Sequence, residues 1–108
     1  MDTKNALSET QINEWKQKYR KIYKSVVGDS VVIFRKLNRA EYVNIMSHVE
    51  DDDAQIKIYK RQDAITEAAT LYPENVTELV EENAGFASLM ADEILTRSGF
   101  NLVSTTEL

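Results

Sequence analysis

The sequence predicts a mostly α, α+β fold: a small helical domain of four to five helices with one short antiparallel β-hairpin at about residues 25–35. Three observations predict it. Capping signatures precede apolar residues spaced three and four apart. Two β-branched runs flank a Gly-Asp step. The composition, 43% hydrophobic and 29% charged with one Pro and three Gly, belongs to a globular core and not to a linker or a collagen-like chain. At 108 residues the chain has the length of one domain.

The first helix is expected from Ser8-Glu9-Thr10-Gln11, a capping box in which the Ser hydroxyl accepts an orphan amide and the Gln side chain reaches back. Ile12, Trp15, Tyr19 and Ile22, with Tyr23 beside them, then fall on one stripe roughly 100° wide. Glu14 precedes Lys18 by four residues, the favourable order for an ion pair of roughly 0.2–0.5 kcal/mol. Ser25-Val26-Val27 and Ser30-Val31-Val32-Ile33-Phe34 read as strands around Gly28-Asp29, where Gly at the first central position suits a type II′ turn. Alone such a hairpin is marginal, so it must lie on the helices or pair with strands of another chain.

Asn38-Arg39-Ala40-Glu41 is a second capping box, opening a helix with Tyr42, Ile45, Met46 and Val49 on one face and an end near Glu50. Asp51-Asp52-Asp53 reads as a turn or a helix start, because carboxylates complement the positive end of the dipole. The next stripe, Ile58, Ile65, Ala68, Ala69 and Tyr72, is interrupted by Arg61, and its secure part runs from about Gln62 to Leu71 before Pro73. Val76, Leu79 and Val80 suggest a short helix capped by Asn75 or Thr77 and stopped near Gly85. A last helix from about Phe86 to Ser98 closes on Gly99-Phe100, a left-handed cap with an apolar contact. On it Phe86, Met90 and Ile94 share a face, while Leu89 and Leu95 lie away on opposite sides, so the apolar arc is wide enough for more than one neighbour. The domain is therefore expected over 8–100, with a flexible N-terminus at 1–7 and a flexible tail at 101–108.

Chemistry is sparsely signalled. The chain has no Cys, which removes disulfides, thiol nucleophiles and thiolate metal sites and fits a reducing compartment. His48 is the sole histidine, so a two-His metal site cannot be assembled within one chain, and its border position near Glu41 suits a surface residue. Glu50 through Asp53 lack the alternating oxygens and central Gly of a calcium loop. No phosphate-binding Gly loop, nucleophile elbow or His-Glu-x-x-His occurs. No enzyme, catalytic residue, cofactor or metal site is expected. No run approaches the roughly 18 apolar residues of a membrane span, and Met1-Asp2-Thr3-Lys4-Asn5 lacks the apolar core of a secretory signal, so the cytoplasm is the expected compartment.

The net charge of −5 conceals a polarity: residues 1–48 carry nine Lys/Arg against five Asp/Glu, and residues 49–108 four against thirteen. Lys16, Lys18, Arg20, Lys21 and Lys24 alternate with Trp15, Tyr19 and Tyr23, the residue types that bind phosphates and stack on bases. Because those aromatics share the stripe with Ile12 and Ile22, packing is expected to claim them first, and nucleic acid is set aside as a partner.

One stretch, Val32-Ile33-Phe34-Arg35-Lys36-Leu37-Asn38-Arg39-Ala40-Glu41-Tyr42, with Leu71-Tyr72-Pro73, Ala84-Gly85 and Ser98-Gly99-Phe100 downstream, resembles small tail assembly chaperones and baseplate-assembly proteins of tailed bacteriophages. The likeness spans about Val26 to Phe100 and leaves the basic first helix outside. It implies a helical, non-enzymatic protein of the infected host cell's cytoplasm that binds and masks a tape-measure, hub or baseplate protein during virion morphogenesis. The alternative is a structural subunit retained in the baseplate or neck of the virion tail. Trp15, Tyr19 and Ile22, or Leu89 and Leu95, are the expected partner-binding residues, with self-association a further option.

Overall fold

In the computed structural model, residues 7–100 and 103–108 are described; 1–6 of the expected flexible N-terminus and 101–102 of the expected tail lie outside the described residues. The elements run α1 (Glu9–Tyr19), β1 (Tyr23–Val27), β2 (Ser30–Phe34), α2 (Arg39–His48), α3 (Ala54–Ala69), β3 (Thr70–Tyr72), α4 (Val76–Glu82) and α5 (Phe86–Arg97). The five helices and the hairpin agree with the expected class. The third strand was not expected, and it completes an antiparallel sheet of order β1-β2-β3.

β3 resolves the hairpin's need for a partner within the chain. Ile33 pairs with Tyr72 and Phe34 with Thr70, across a register irregularity between Ile33 and Phe34. The helix expected to reach Leu71 therefore stops at Ala69, because the backbone from Thr70 onward pairs with β2. Before that stop, Thr70 Oγ1 donates to the Thr66 carbonyl at 2.6 Å, satisfying an acceptor at the helix end. Tyr72-Pro73 is a cis peptide.

The core lies where β2 meets α3 and α5. Val32, Phe34, Ile65, Ala69, Met90 and Ile94 are buried there, with Phe86 and Val76 closing the α4 side. Small residues on facing helices, Ala69, Ala87 and Ala91, bring α3 and α5 close together. The fully buried Thr66 hydroxyl then donates across the seam to the Ala87 carbonyl at 3.2 Å, and Ser88 Oγ donates to Gln62 Oε1 at 2.7 Å. Each bond satisfies a group that would otherwise be desolvated without a partner.

Turn and cap chemistry follows the sequence closely. Gly28 has φ 60 while Asp29 does not share a positive φ, as a type II′ turn requires. Asn38 and Glu41 form the full capping box of α2. Ser8 accepts from the Gln11 amide, but the Gln11 side chain does not return the bond. Asp53 caps α3 through the amides of Gln55 and Ile56, while Asp51 takes the Asp53 amide and pairs with Lys60 at 2.8 Å, so the acidic run is a helix start. Together Lys60 and the Asp53 amide hold the Asp51 carboxyl below its ordinary range. At the far end of α5, Gly99 at φ 106 sends the Phe100 amide to the Leu95 carbonyl and its own amide to Thr96, a Schellman closure whose Phe100 ring lies 4.8 Å from that of Tyr42.

α1 departs most from expectation. It ends at Tyr19, one turn short of Ile22, because Arg20 adopts a left-handed φ of 67. Tyr23 instead enters β1 opposite Phe34, with ring centroids 5.4 Å apart, so cross-strand packing wins over helix continuation. Ile22 consequently leaves the helical stripe. The expected Glu14–Lys18 pair is not formed; Lys18 Nζ instead lies 5.3 Å from the centre of the Tyr19 ring.

Candidate functional site

Two concave features flank the core. The first is a groove of about 530 Å³ between α2, α3 and α5, with Tyr42, Met46, Ile58, Ile65, Leu89 and Leu95 forming its apolar walls. α5 supplies Leu89 and Leu95, the pair expected to bind a partner, and the structure brings both to this groove. Leu89 is 62% exposed, while Leu95 is half-buried against the core. The two line one groove although their helical positions differ, with Ser88 and Asp92 between them on the helix surface.

Polar groups sit at defined points in this apolar wall. Arg61, Gln62 and Ser88 are among its lining residues, and Asp92 stands on the α5 side. Gln62 and Ser88 satisfy each other. Arg61 Nε is buried and has no hydrogen-bond partner among the described residues. The sequence signalled Arg61 only as an interruption of a helical stripe; its place in the groove lining follows from α2 and α5 standing on either side of α3.

The second feature is a basic cleft of about 330 Å³ between the end of α1 and the β2–α2 connection. Arg35 organises it. Its guanidinium makes a two-pronged contact with Glu41, Nη1 to Oε1 and Nη2 to Oε2, both at 2.9 Å. It also donates to the Ala68 carbonyl of α3 at 3.3 Å and lies 5.1 Å from the centre of the Tyr19 ring. Glu41 Oε1 simultaneously accepts the Asn38 amide of the capping box. The Arg35 hydrogen bond, opposed by partial burial and helped by the Asn38 amide, holds the Glu41 carboxyl below its ordinary range. The Arg-x-Leu-Asn-x-x-Glu arrangement thus ties β2, α2, α3 and α1 at one point, and Leu37 completes it by donating its amide to Ser98 Oγ at 2.9 Å.

Of the expected α1 residues, Trp15 and Tyr19 stay on one face and are half-buried; α1 contains no buried residue at all. Ile22, beyond the helix end, is half-buried. The α1 set and the α5 set form two separate surfaces, since the groove and the cleft share no lining residue.

The remaining acidic and imidazole groups have local explanations. His48 is exposed at the end of α2, with Nδ1 donating to the Asn44 carbonyl at 2.8 Å. Among the described residues no group of three or more His, Asp or Glu is placed to hold a metal ion. No helix among them is long and apolar enough to cross a membrane. Comparison with protein-family models, curated proteins and solved structures gives no match.

Proposed function

We propose that this chain is a non-enzymatic binding protein that takes up an amphipathic helix of a phage tail protein, a tape-measure or hub component, and masks its apolar face during tail assembly. The supporting observation is the groove: an open apolar channel with Leu89 62% exposed beside it and Arg61 and Asp92 among its lining residues. A client helix with apolar anchors at i, i+3, i+4 and i+7 suits such a channel. The tail-protein assignment itself rests on the resemblance of the Phe34-Arg35-x-Leu37-Asn38 stretch and its downstream motifs.

The test is affinity capture from infected cells at low and high salt with the wild-type chain and with Leu89→Glu. A tail component should be retained by the wild type at both salts and lost by L89E, because an apolar contact resists screening and a buried carboxylate does not fit. Capture that disappears at high salt, or that L89E leaves intact, counts against the groove. Mass spectrometry of finished particles addresses the assembly role: a chaperone is absent from them, whereas fixed copy number identifies a retained subunit.

A further inference from the structure

β3 covers one side of the hairpin and leaves the other open, since in the order β1-β2-β3 the strand β1 is an edge. The two-residue turn at Gly28-Asp29 fixes which backbone groups that edge presents. Val27 and Ser30 close the turn as a hydrogen-bonded pair, so Tyr23, Ser25 and Val27 aim their amides and carbonyls at β2, and Lys24 and Val26 aim theirs outward. The outward groups form no hydrogen bond with a described residue. Val26 is 65% exposed and Lys24 is exposed beside it. The core side of the edge is open too: Tyr23 and Ser25 are half-buried, whereas Phe34 and Val32 opposite them on β2 are fully buried. An unpaired edge of this kind is a template for a further strand.

The strand carries its own complement. Outward residues of two antiparallel copies can meet in three registers: Lys24 on Lys24, Val26 on Val26, or each on the other. The first sets two ammonium groups directly opposite each other, and the second sends Lys24 to Gly28 inside the turn. The third, with a twofold axis at Ser25, pairs Lys24 with Val26 of the second copy and Val26 with its Lys24, so every outward amide and carbonyl of both edges finds a partner. On the core side this register sets Tyr23 opposite Val27 in both directions, a favourable aromatic-to-β-branched pair, with Ser25 facing Ser25 at the axis. A Lys on an edge deters foreign strands. Here it lies opposite an apolar residue that its own stem covers. A strand of another protein would need the same alternation, which a second copy supplies by symmetry.

We infer that a second copy of this chain adds its β1 antiparallel to this β1 about a twofold axis at Ser25, joining the two sheets into one. One short edge buries less than the roughly 1,200 Å² of a standard interface, so the dimer is weak and forms at about 0.1–1 mM protein. The two Lys24 ammonium groups lie diagonally across the axis, roughly 7–8 Å apart at the backbone, so added salt strengthens it. No residue of β1 lines the client groove, and the inference stands apart from client binding.

The test is sedimentation equilibrium of the full chain up to about 1 mM, at low and high salt. The expected result is a mass that rises with concentration toward that of a dimer, and further at high salt. Amide exchange at Lys24 and Val26 should slow over the same range. Val26→Pro removes an outward amide that the hairpin does not use, so it should abolish the dimer while thermal unfolding shows the monomer folded. The chain has no Cys, so Ser25→Cys puts one thiol per copy at the axis, with Cβ atoms about 4.5–5.5 Å apart. Oxidation should link this variant at least about tenfold faster than Val26→Cys, whose thiols lie diagonally across the axis. If Val26→Pro fails to fold, the two Cys variants decide. A chain that stays monomeric at the highest concentration overturns the inference. So does a dimer that salt weakens, one that a folded Val26→Pro retains, or equal linking of the two Cys variants.

Discussion

α3 and α1 are both helices with an apolar stripe, yet the fold treats them oppositely. α3 buries Ile65, Thr66 and Ala69, is fastened to α5 by two side-chain hydrogen bonds, and continues directly into a strand of the sheet. α1 has no fully buried residue, its Ile12, Trp15 and Tyr19 being half-buried, and the Arg35 guanidinium lies 5.1 Å from the centre of the Tyr19 ring. An amphipathic pattern specifies a helix but not its partner. α3 has small residues, Ala69 and Thr66, where α5 presents Ala87 and Ala91, so two backbones approach closely; α1 carries the larger Trp15 and Tyr19, which stay half-buried. Stability therefore resides in one region and unpartnered surface in the other.

The contrast breaks most readily at the core. Phe34→Ala should lower unfolding free energy by about 3–5 kcal/mol and Ile94→Ala by about 2–5, read from urea midpoints, because each removes a fully buried side chain. Trp15→Ala, despite deleting the larger side chain, should cost less than about 1 kcal/mol, since α1 contributes no buried residue. A core-sized loss at Trp15 contradicts the distinction.

The Arg35 junction, which joins the two regions, comes next. Arg35→Ala removes the Glu41 contact and the Ala68 hydrogen bond and should cost about 1–2 kcal/mol, discounted for the partial exposure of Glu41. Its pH signature has a definite sign. The folded Glu41 carboxyl is depressed, so its contribution is complete above the ordinary carboxylate range and is lost as pH falls through the folded value. Acid urea titrations of the wild type should show this loss, and Arg35→Gln should flatten it. Asp63 has the opposite sign: partial burial raises its carboxyl, so its ionisation disfavours the fold at neutral pH and the penalty is relieved on acidification. Asp63→Asn should stabilise by no more than about 0.5 kcal/mol. Between these, Asn38→Ala should cost about 1 kcal/mol through loss of the α2 cap.

Much of the fold was legible because it is local. Asn38 to Glu41, Gly28-Asp29 and Gly99-Phe100 impose caps and turns through chemistry within a few residues, and each forms as expected. What depended on distant partners was not legible. Thr70 to Tyr72 continued a helical stripe, and only the arrival of β2 made a strand of them. Tyr23 reads in the sequence as a neighbour of the α1 stripe, and only its pairing with Phe34 makes it a strand residue. The candidate groove was half legible: Leu89 and Leu95 were marked by an over-wide apolar arc, whereas Arg61 became meaningful only when α2 and α5 enclosed it.

Amide hydrogen exchange on the free protein tests the division between body and arm most directly. With α1 lacking buried contacts, amides from Ile12 to Tyr19 should exchange through low-energy local opening, while those of α3 around Ile65 and of α5 around Met90 exchange only with global unfolding. Protection in α1 equal to that in α3 and α5 would show the helix to be part of the cooperative core and would contradict its role as an unpartnered surface.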